Sequence, residues 1–352
     1  MKVFFLPGAY DGCYYYRCYL PGIYGDMSVV LDFARKDYKP EQLIQQAMEA
    51  DIIVIQRPNE PVRYEIAKAL KLKGKKIVFE NDDTYLPDKG VPLSMLPTDK
   101  QREIAKKMNY YLYETLKIAD MAIASTPLLA EEFSAINKNV VMIPNFIDPL
   151  DEQTKRVNDT GRPRVGFIGS VTSNNDYNHI KDEIRKIAEY ATIVVFGIKH
   201  QSGSINGAYK EDYDFWNSLP NVEWQPFVNM NSYYHTLSKL KLDLVIIPRN
   251  DSYFNRCKSN LKFLEASLLK IPVIAQGFDT NDSPYQQNPE DSKYMVVITD
   301  NTKWNEEVQR LLNDKDLRED MAQKAYDYVI KNYNIKDNVQ RWKDAFKTLY
   351  AN

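Results

Sequence analysis

The chain is poor in cysteine and in histidine, with three of each in 352 residues. Cys13, Cys18 and Cys257 are too few for a disulfide framework, and Cys13 and Cys18 do not stand at CxxC spacing. His179, His200 and His235 form no HExxH or paired metal motif, so no metal site is expected. A reducing, cytoplasmic setting is the expectation. An excess of one charge is also lacking: 46 Lys and Arg face 48 Asp and Glu, and the net charge of −2 gives no strong electrostatic case for a polyanion partner. A balanced chain still has room for a local basic face. No apolar run approaches the length of a bilayer, so no transmembrane segment is expected and membrane contact would be peripheral. The opening MKVFFLPGAYDG is too short in its apolar run for a signal peptide and reads as a first strand. No G-x-G-x-x-G, internal repeat or low-complexity tract is present.

What is present is alternation. Strands read at Lys2–Leu6, Val29–Leu31, Asp51–Gln56, Lys75–Phe79, Asp120–Ser125 and Val140–Ile143. Helical patterns lie between them, at Glu41–Ala50, Val62–Leu72, Lys100–Ala119 and Leu128–Phe133. A polar stretch without periodicity, Asp151–Gly161, reads as a linker, and the plan restarts with strands at Arg164–Ile168 and Thr192–Phe196. Such alternation predicts an α/β chain of two doubly wound, Rossmann-like parallel-sheet domains, residues 1–155 and 162–333. Residues 334–352 form a closing helix with Val339, Trp342, Phe346 and Leu349 at helical spacing.

Open parallel sheets bind ligands outside the carboxyl ends of their strands. Tyr253–Gln276 sits at such an end. It follows the apolar strand Leu242–Pro248, turns helical from Lys258, and stops at Lys270-Ile271-Pro272. A helix start carries free N–H groups and the positive end of the dipole, worth about 0.3–1 kcal/mol per charge interaction with an anion. Ser259 is placed to satisfy first-turn amides, Asn260 flanks it, Lys258 and Lys262 share a face, and Glu265 follows. Two ammonium groups, a hydroxyl and a carboxylate suit a diphosphate attached to a ribose. The same residues also suit an ordinary salt-bridged helix face.

The pattern FN-x-x-KS-x-x-K-x-x-E, carried by Phe254, Asn255, Lys258, Ser259, Lys262 and Glu265, resembles the donor-site helix of family-4-type retaining glycosyltransferases of the GT-B fold. GCYYYRCYLP resembles the glycine loop of the same subgroup, and PNFIDP (Pro144–Pro149) its domain exit. The resemblance implies two domains facing across a cleft, with a closing helix that crosses back and is anchored by Trp342. It implies a metal-independent transferase that moves a sugar with retention from a UDP- or GDP-linked donor to a glycan or lipid-linked glycan, the departing phosphate helping to deprotonate the acceptor. Glu265 would bind the ribose. Gly12, Gly169 and Ser170 would present main chain to the donor, with Asp176 beside them, and Arg17 would point at the cleft. Val222–Trp224, Pro226 and Phe227 would lie over the base. The chain departs from the family in two places: Cys257 stands where a second glutamate reads the sugar, leaving Asn255 as the substitute, and no histidine precedes His179.

Acceptor-side candidates are Tyr10 and Arg57, with the run Glu80-Asn81-Asp82-Asp83 at a strand's carboxyl end. Three readings of that run compete: Asp82 or Asp83 pairs with Arg57 or caps an element, accepts the proton of an incoming hydroxyl, or binds a divalent cation. Either aspartate is also a candidate replacement for the missing histidine. Two alternatives to glycan transfer stand. Hydroxymethylated DNA is one acceptor, served by a basic face of Lys68, Lys71, Lys73, Lys75, Lys76, Lys100, Arg102, Lys106 and Lys107. Binding of a sugar nucleotide without catalysis is the other.

Overall fold

Short apolar runs make the strands. β1 (Val3–Leu6), β3 (Ile52–Gln56), β7 (Arg164–Ile168), β8 (Thr192–Phe196) and β10 (Leu244–Ile247) are buried along their whole length. That is the mark of parallel strands covered on both faces. The computed structural model describes residues 1–8, 11–29, 40–84, 99–151, 155–169, 173, 176–197 and 210–351. The chain forms two units: unit 1 is Met1–Asp148, Cys257–Ser259 and Asn334–Asn352, and unit 2 is Pro149–Arg256 and Asn260–Tyr333.

The sheet of unit 1 also contains β2 (Ser28–Val29), β4 (Lys76–Asn81), β5 (Met121–Ala124) and β6 (Val140–Met142), all parallel in the order β2-β1-β3-β4-β5-β6. The order reverses between β1 and β3, so the ligand crevice of such a sheet falls at Gly8 and Arg57. Its helices include α1 (Pro40–Met48), α2 (Pro61–Leu72), α3 (Asp99–Ile118) and α4 (Pro127–Ser134). A Cβ on Gly8 would stand 2.5 Å from both the Arg57 Cβ and the Gln56 carbonyl oxygen. Arg57 itself has φ 46. Gly8→Ala is therefore expected to destabilise the protein by about 1–3 kcal/mol through overpacking against backbone. A urea midpoint equal to wild type would contradict this.

Unit 2 repeats the plan with β9 (Val222–Gln225), β11 (Val273–Gln276) and β12 (Val296–Ile298), in the parallel order β12-β11-β10-β7-β8-β9. Its reversal lies between β7 and β10. Gly197 packs on the turn after β7: at φ +88, any Cβ there would come 2.4 Å from the Gly169 carbonyl oxygen. The helices are α5 (Lys181–Tyr190), α6 (Lys210–Asn217), α7 (Met230–Lys239), α8 (Leu261–Leu268), α9 (Trp304–Asn313) and α10 (Lys315–Tyr333). The closing α11 (Gln340–Ala351) belongs to unit 1.

Two features differ from the sequence expectations. α8 begins at Leu261 and not at Lys258, because Cys257–Ser259 is held in unit 1. α6 and α7 lie outside the alternation read from the sequence, since their buried positions, among them Phe215, Trp216, Tyr233, Tyr234 and Leu237, stand among polar residues. Much of the aromatic content is core: Trp216, Trp304 and Trp342 are fully buried, and Phe167, Tyr177, Phe215 and Trp216 form one ring cluster in unit 2.

Candidate active site

Unit 2 gathers its polar side chains at the carboxyl ends of β7, β10 and β11. Glu265 lies in the first turns of α8 and is only 3% exposed. Its Oε2 accepts from the Tyr233 hydroxyl at 2.7 Å and from Lys262 Nζ at 3.0 Å. Lys262 is also 3.3 Å from the same hydroxyl and lies over the Tyr233 ring. Burial, and next the Glu265 charge, push the Tyr233 hydroxyl pKa well above its ordinary value, so it donates to the carboxylate and stays neutral. Tyr233 escaped sequence reasoning. Its signal was the placement of Tyr233 and Tyr234 one helical turn before Leu237, after Asn229.

Beside this group, Asp176 holds the loop after β10. Its Oδ2 accepts from Arg249 at 2.7 Å, and its Oδ1 from Asn255 Nδ2 at 2.7 Å and from the Asn250 amide at 3.3 Å. His179 spans Asn250 Oδ1 at 2.9 Å and Gln276 Oε1 at 2.8 Å. Asn255 is buried, and its Oδ1 has no hydrogen-bond partner among the described residues. An acceptor in that position needs a donor to offset its burial, which a ligand hydroxyl would supply. Phe227 is 58% exposed, leaving its ring accessible.

Asn260 precedes α8, and its side-chain amide donates to Asp291 instead of capping the helix. Ser259 does not cap it either; its hydroxyl accepts from Asn145 Nδ2 at 2.8 Å in unit 1. Both departures leave the first turn uncapped by side chains.

In unit 1, Arg57 collects three carboxylates: Asp83 at 2.9 Å, Asp82 at 3.2 Å and Asp11 at 3.6 Å. Lys258 pairs with the other oxygen of Asp83. Burial raises the Asp82 carboxyl, but Arg57, a Cys13 hydrogen bond and Lys258 outweigh it, and the net shift is downward. Asp82 is thus held ionised, suited to accept a hydrogen bond more than to take a proton. Of the three readings of the acidic run, pairing with Arg57 is the one seen. Among the described residues, no group of three or more His, Cys, Asp or Glu is disposed to hold a metal ion.

The N-terminal loop opens a helical turn capped by Asp11, and one of its residues, Arg17, departs from expectation. Asp11 accepts from the Cys13 and Tyr14 amides at 2.9 and 3.3 Å, so those N–H groups after Gly12 already face a carboxylate. Arg17 does not point at a cleft. It is fully buried, pairs with Glu80 at 2.6 Å, donates to the Ile143 and Pro144 carbonyls, and lies 4.9 Å from the Trp342 ring. Tyr10 and Ser170 lie outside the described residues. Gly169 follows β7, its amide bonded to the Phe196 carbonyl at 3.0 Å.

Comparison with solved structures decides the architecture. Sucrose-phosphate synthase from Thermosynechococcus elongatus superposes with a TM-score of 0.69 at 13% identity, over 100% of both chains. The fold is GT-B. Two more GT-B structures align over nearly their whole length. HepE from Anabaena, solved with UDP, has a TM-score of 0.68 at 14% identity, over 99% of this chain and 100% of its own. An alpha-glucosyltransferase, solved with UDP and a 13-mer DNA containing an HMU base, has a TM-score of 0.66 at 14% identity, over 99% of each chain. Residues 179–344 match the family model described as glycosyl transferase-like, a span that contains α7, α8 and Glu265. No curated protein matches the sequence. Among the described residues, no helix is long and apolar enough to cross a membrane.

Proposed function

We propose that this protein is a nucleotide-sugar-dependent glycosyltransferase that moves a sugar onto a hydroxyl of a glycan or lipid-linked glycan, with retention. One observation carries it. A buried carboxylate, Glu265, stands at the carboxyl edge of a GT-B donor sheet, held by Tyr233 and Lys262, within the segment that matches a glycosyl transferase-like family. Glu265 then accepts from the ribose hydroxyls. Lys262 and the uncapped amides of α8 face the diphosphate and stabilise the charge it gains as the bond to the sugar breaks. Lys258 pairs with Asp83 within unit 1 and so belongs with Arg57 and the acidic run there. Asn255, through its unpartnered Oδ1, replaces the sugar-reading glutamate lost at Cys257. The acceptor oxygen forms the new bond to the sugar carbon, and its proton leaves on the departing phosphate. Asp82, Asp83 and Arg57 orient the acceptor hydroxyl. HepE was also solved with UDP-glucose, which makes a uridine donor the first to test.

DNA transfer gains no specific support. Lys68, Lys71, Arg102 and Lys106 each pair with a carboxylate (Glu65, Asp120, Asp99 and Glu103), which offsets four of the nine charges of that basic face. Incubation with a panel of UDP- and GDP-sugars, followed by mass spectrometry, is expected to show release of UDP from one donor. Saturable binding with no turnover would point to a sugar-nucleotide-binding protein. Neither binding nor turnover with any member would sink the proposal.

A further inference from the structure

Asp291 is 1% exposed, and its side-chain contacts among the described residues are all to uncharged donors. Oδ1 accepts from the Tyr328 hydroxyl at 2.7 Å, the Tyr333 hydroxyl at 2.9 Å and Asn288 Nδ2 at 3.0 Å. Oδ2 accepts from Asn260 Nδ2 at 2.6 Å and again from Tyr333 at 3.0 Å. Burying a carboxylate this way is costly, so the contacts it makes call for a use.

Two of its partners occupy particular places in the chain. Asn260 is the residue with which the chain re-enters unit 2 after Cys257–Ser259, and it stands at the N-cap of α8. Tyr333 is the last residue of α10 and the last of unit 2 before Asn334. An asparagine at an N-cap ordinarily bonds an amide of the first turn, worth about 1 kcal/mol. Asn260 forgoes that bond and gives its amide to Asp291. One carboxylate thus ties the entry of α8 to the exit of α10.

We propose that Asp291 is a positioning residue for the donor helix: through Asn260 it fixes the start of α8 and so presents Lys262 and Glu265 in one register. This rests on the functional reading above, in which those two side chains meet the donor. Asp291 touches no donor atom itself. It acts by anchoring the residue before the helix on the frame set by Tyr328 and Tyr333.

The test uses the full chain, Asp291→Asn, Asn260→Ala and the double variant. Amide hydrogen exchange over residues 260–265 and UDP affinity by calorimetry are the readouts. Each single variant is expected to lose about tenfold in protection of that segment and about tenfold in UDP affinity, the scale of one charge-assisted hydrogen bond. The double variant should lose no more than the worse single, because both act on the same contact, Asp291→Asn by removing its charge and Asn260→Ala by removing its donor. A lower melting temperature with protection and affinity unchanged would overturn the proposal, as would losses that multiply in the double variant. Should Asp291→Asn not fold, Asn260→Ala, which leaves the tyrosine bonds in place, carries the same two readouts. If the wild type binds no UDP, the donor reading fails while hydrogen exchange still decides the anchoring: lost protection over 260–265 upholds it, and unchanged protection refutes it.

Discussion

Replacing Glu265 with glutamine is expected to lower transfer by about 10²-fold or more, with the protein still folded. The carboxylate accepts from Tyr233 and Lys262 and, on the proposed function, from the ribose. Glutamine keeps the shape but offers one oxygen and two N–H groups, and an N–H cannot accept from the Tyr233 hydroxyl or from Lys262. Lys262→Ala removes the cation opposite the leaving diphosphate, and a loss of about 10²-fold in kcat is the scale for removing one such stabilising group. The two effects should not multiply, because Lys262 and Glu265 share a bond. Steady-state kinetics on the donor found by the nucleotide-sugar panel decide it. Wild-type transfer in both variants would remove α8 from the donor site.

The second large effect concerns stability. Arg17→Met is expected to cost about 3–5 kcal/mol, the range seen when one member of a buried ion pair is removed and the other stays unpaired. Glu80 would keep its place on β4 with no cation, and the Ile143 and Pro144 carbonyls would lose their donor. Arg17→Lys should rescue little, since one ammonium cannot reproduce the fork that reaches Glu80 and the two carbonyls. An unfolding free energy from urea titration within about 1 kcal/mol of wild type would show that the pair adds little to folding.

That pair also sets a pH dependence. Burial pushes the Glu80 carboxyl from its ordinary 4.5 up to about 7, against the pull of Arg17. A carboxyl raised on folding binds its proton more tightly in the folded chain. Its contribution to stability is therefore complete below about pH 4.5 and declines as the pH rises towards 7. Removing Arg17 takes away the opposing cation and extends the decline upward. The stability gap between Arg17→Met and wild type should accordingly widen from about pH 6 to about pH 8.

The alternation of short apolar runs with helical patterns specified two parallel sheets before any coordinates, because a strand buried on both faces must be apolar throughout. The same logic located Tyr253–Gln276 at a strand's carboxyl edge and singled out Lys262 and Glu265. Periodicity fixes which face of an element is buried; it does not name the partner. Tyr233 reaches Glu265 from 32 residues away, and Lys258 meets Asp83 across 175. The resemblance aims Arg17 at the cleft, whereas Glu80, 63 residues on, holds it in the core. Local chemistry in the sequence thus determined the strands, the helices and the edge where ligands bind. Only the tertiary structure decided which charges face each other, because strand order and loop path bring together groups that no local pattern relates.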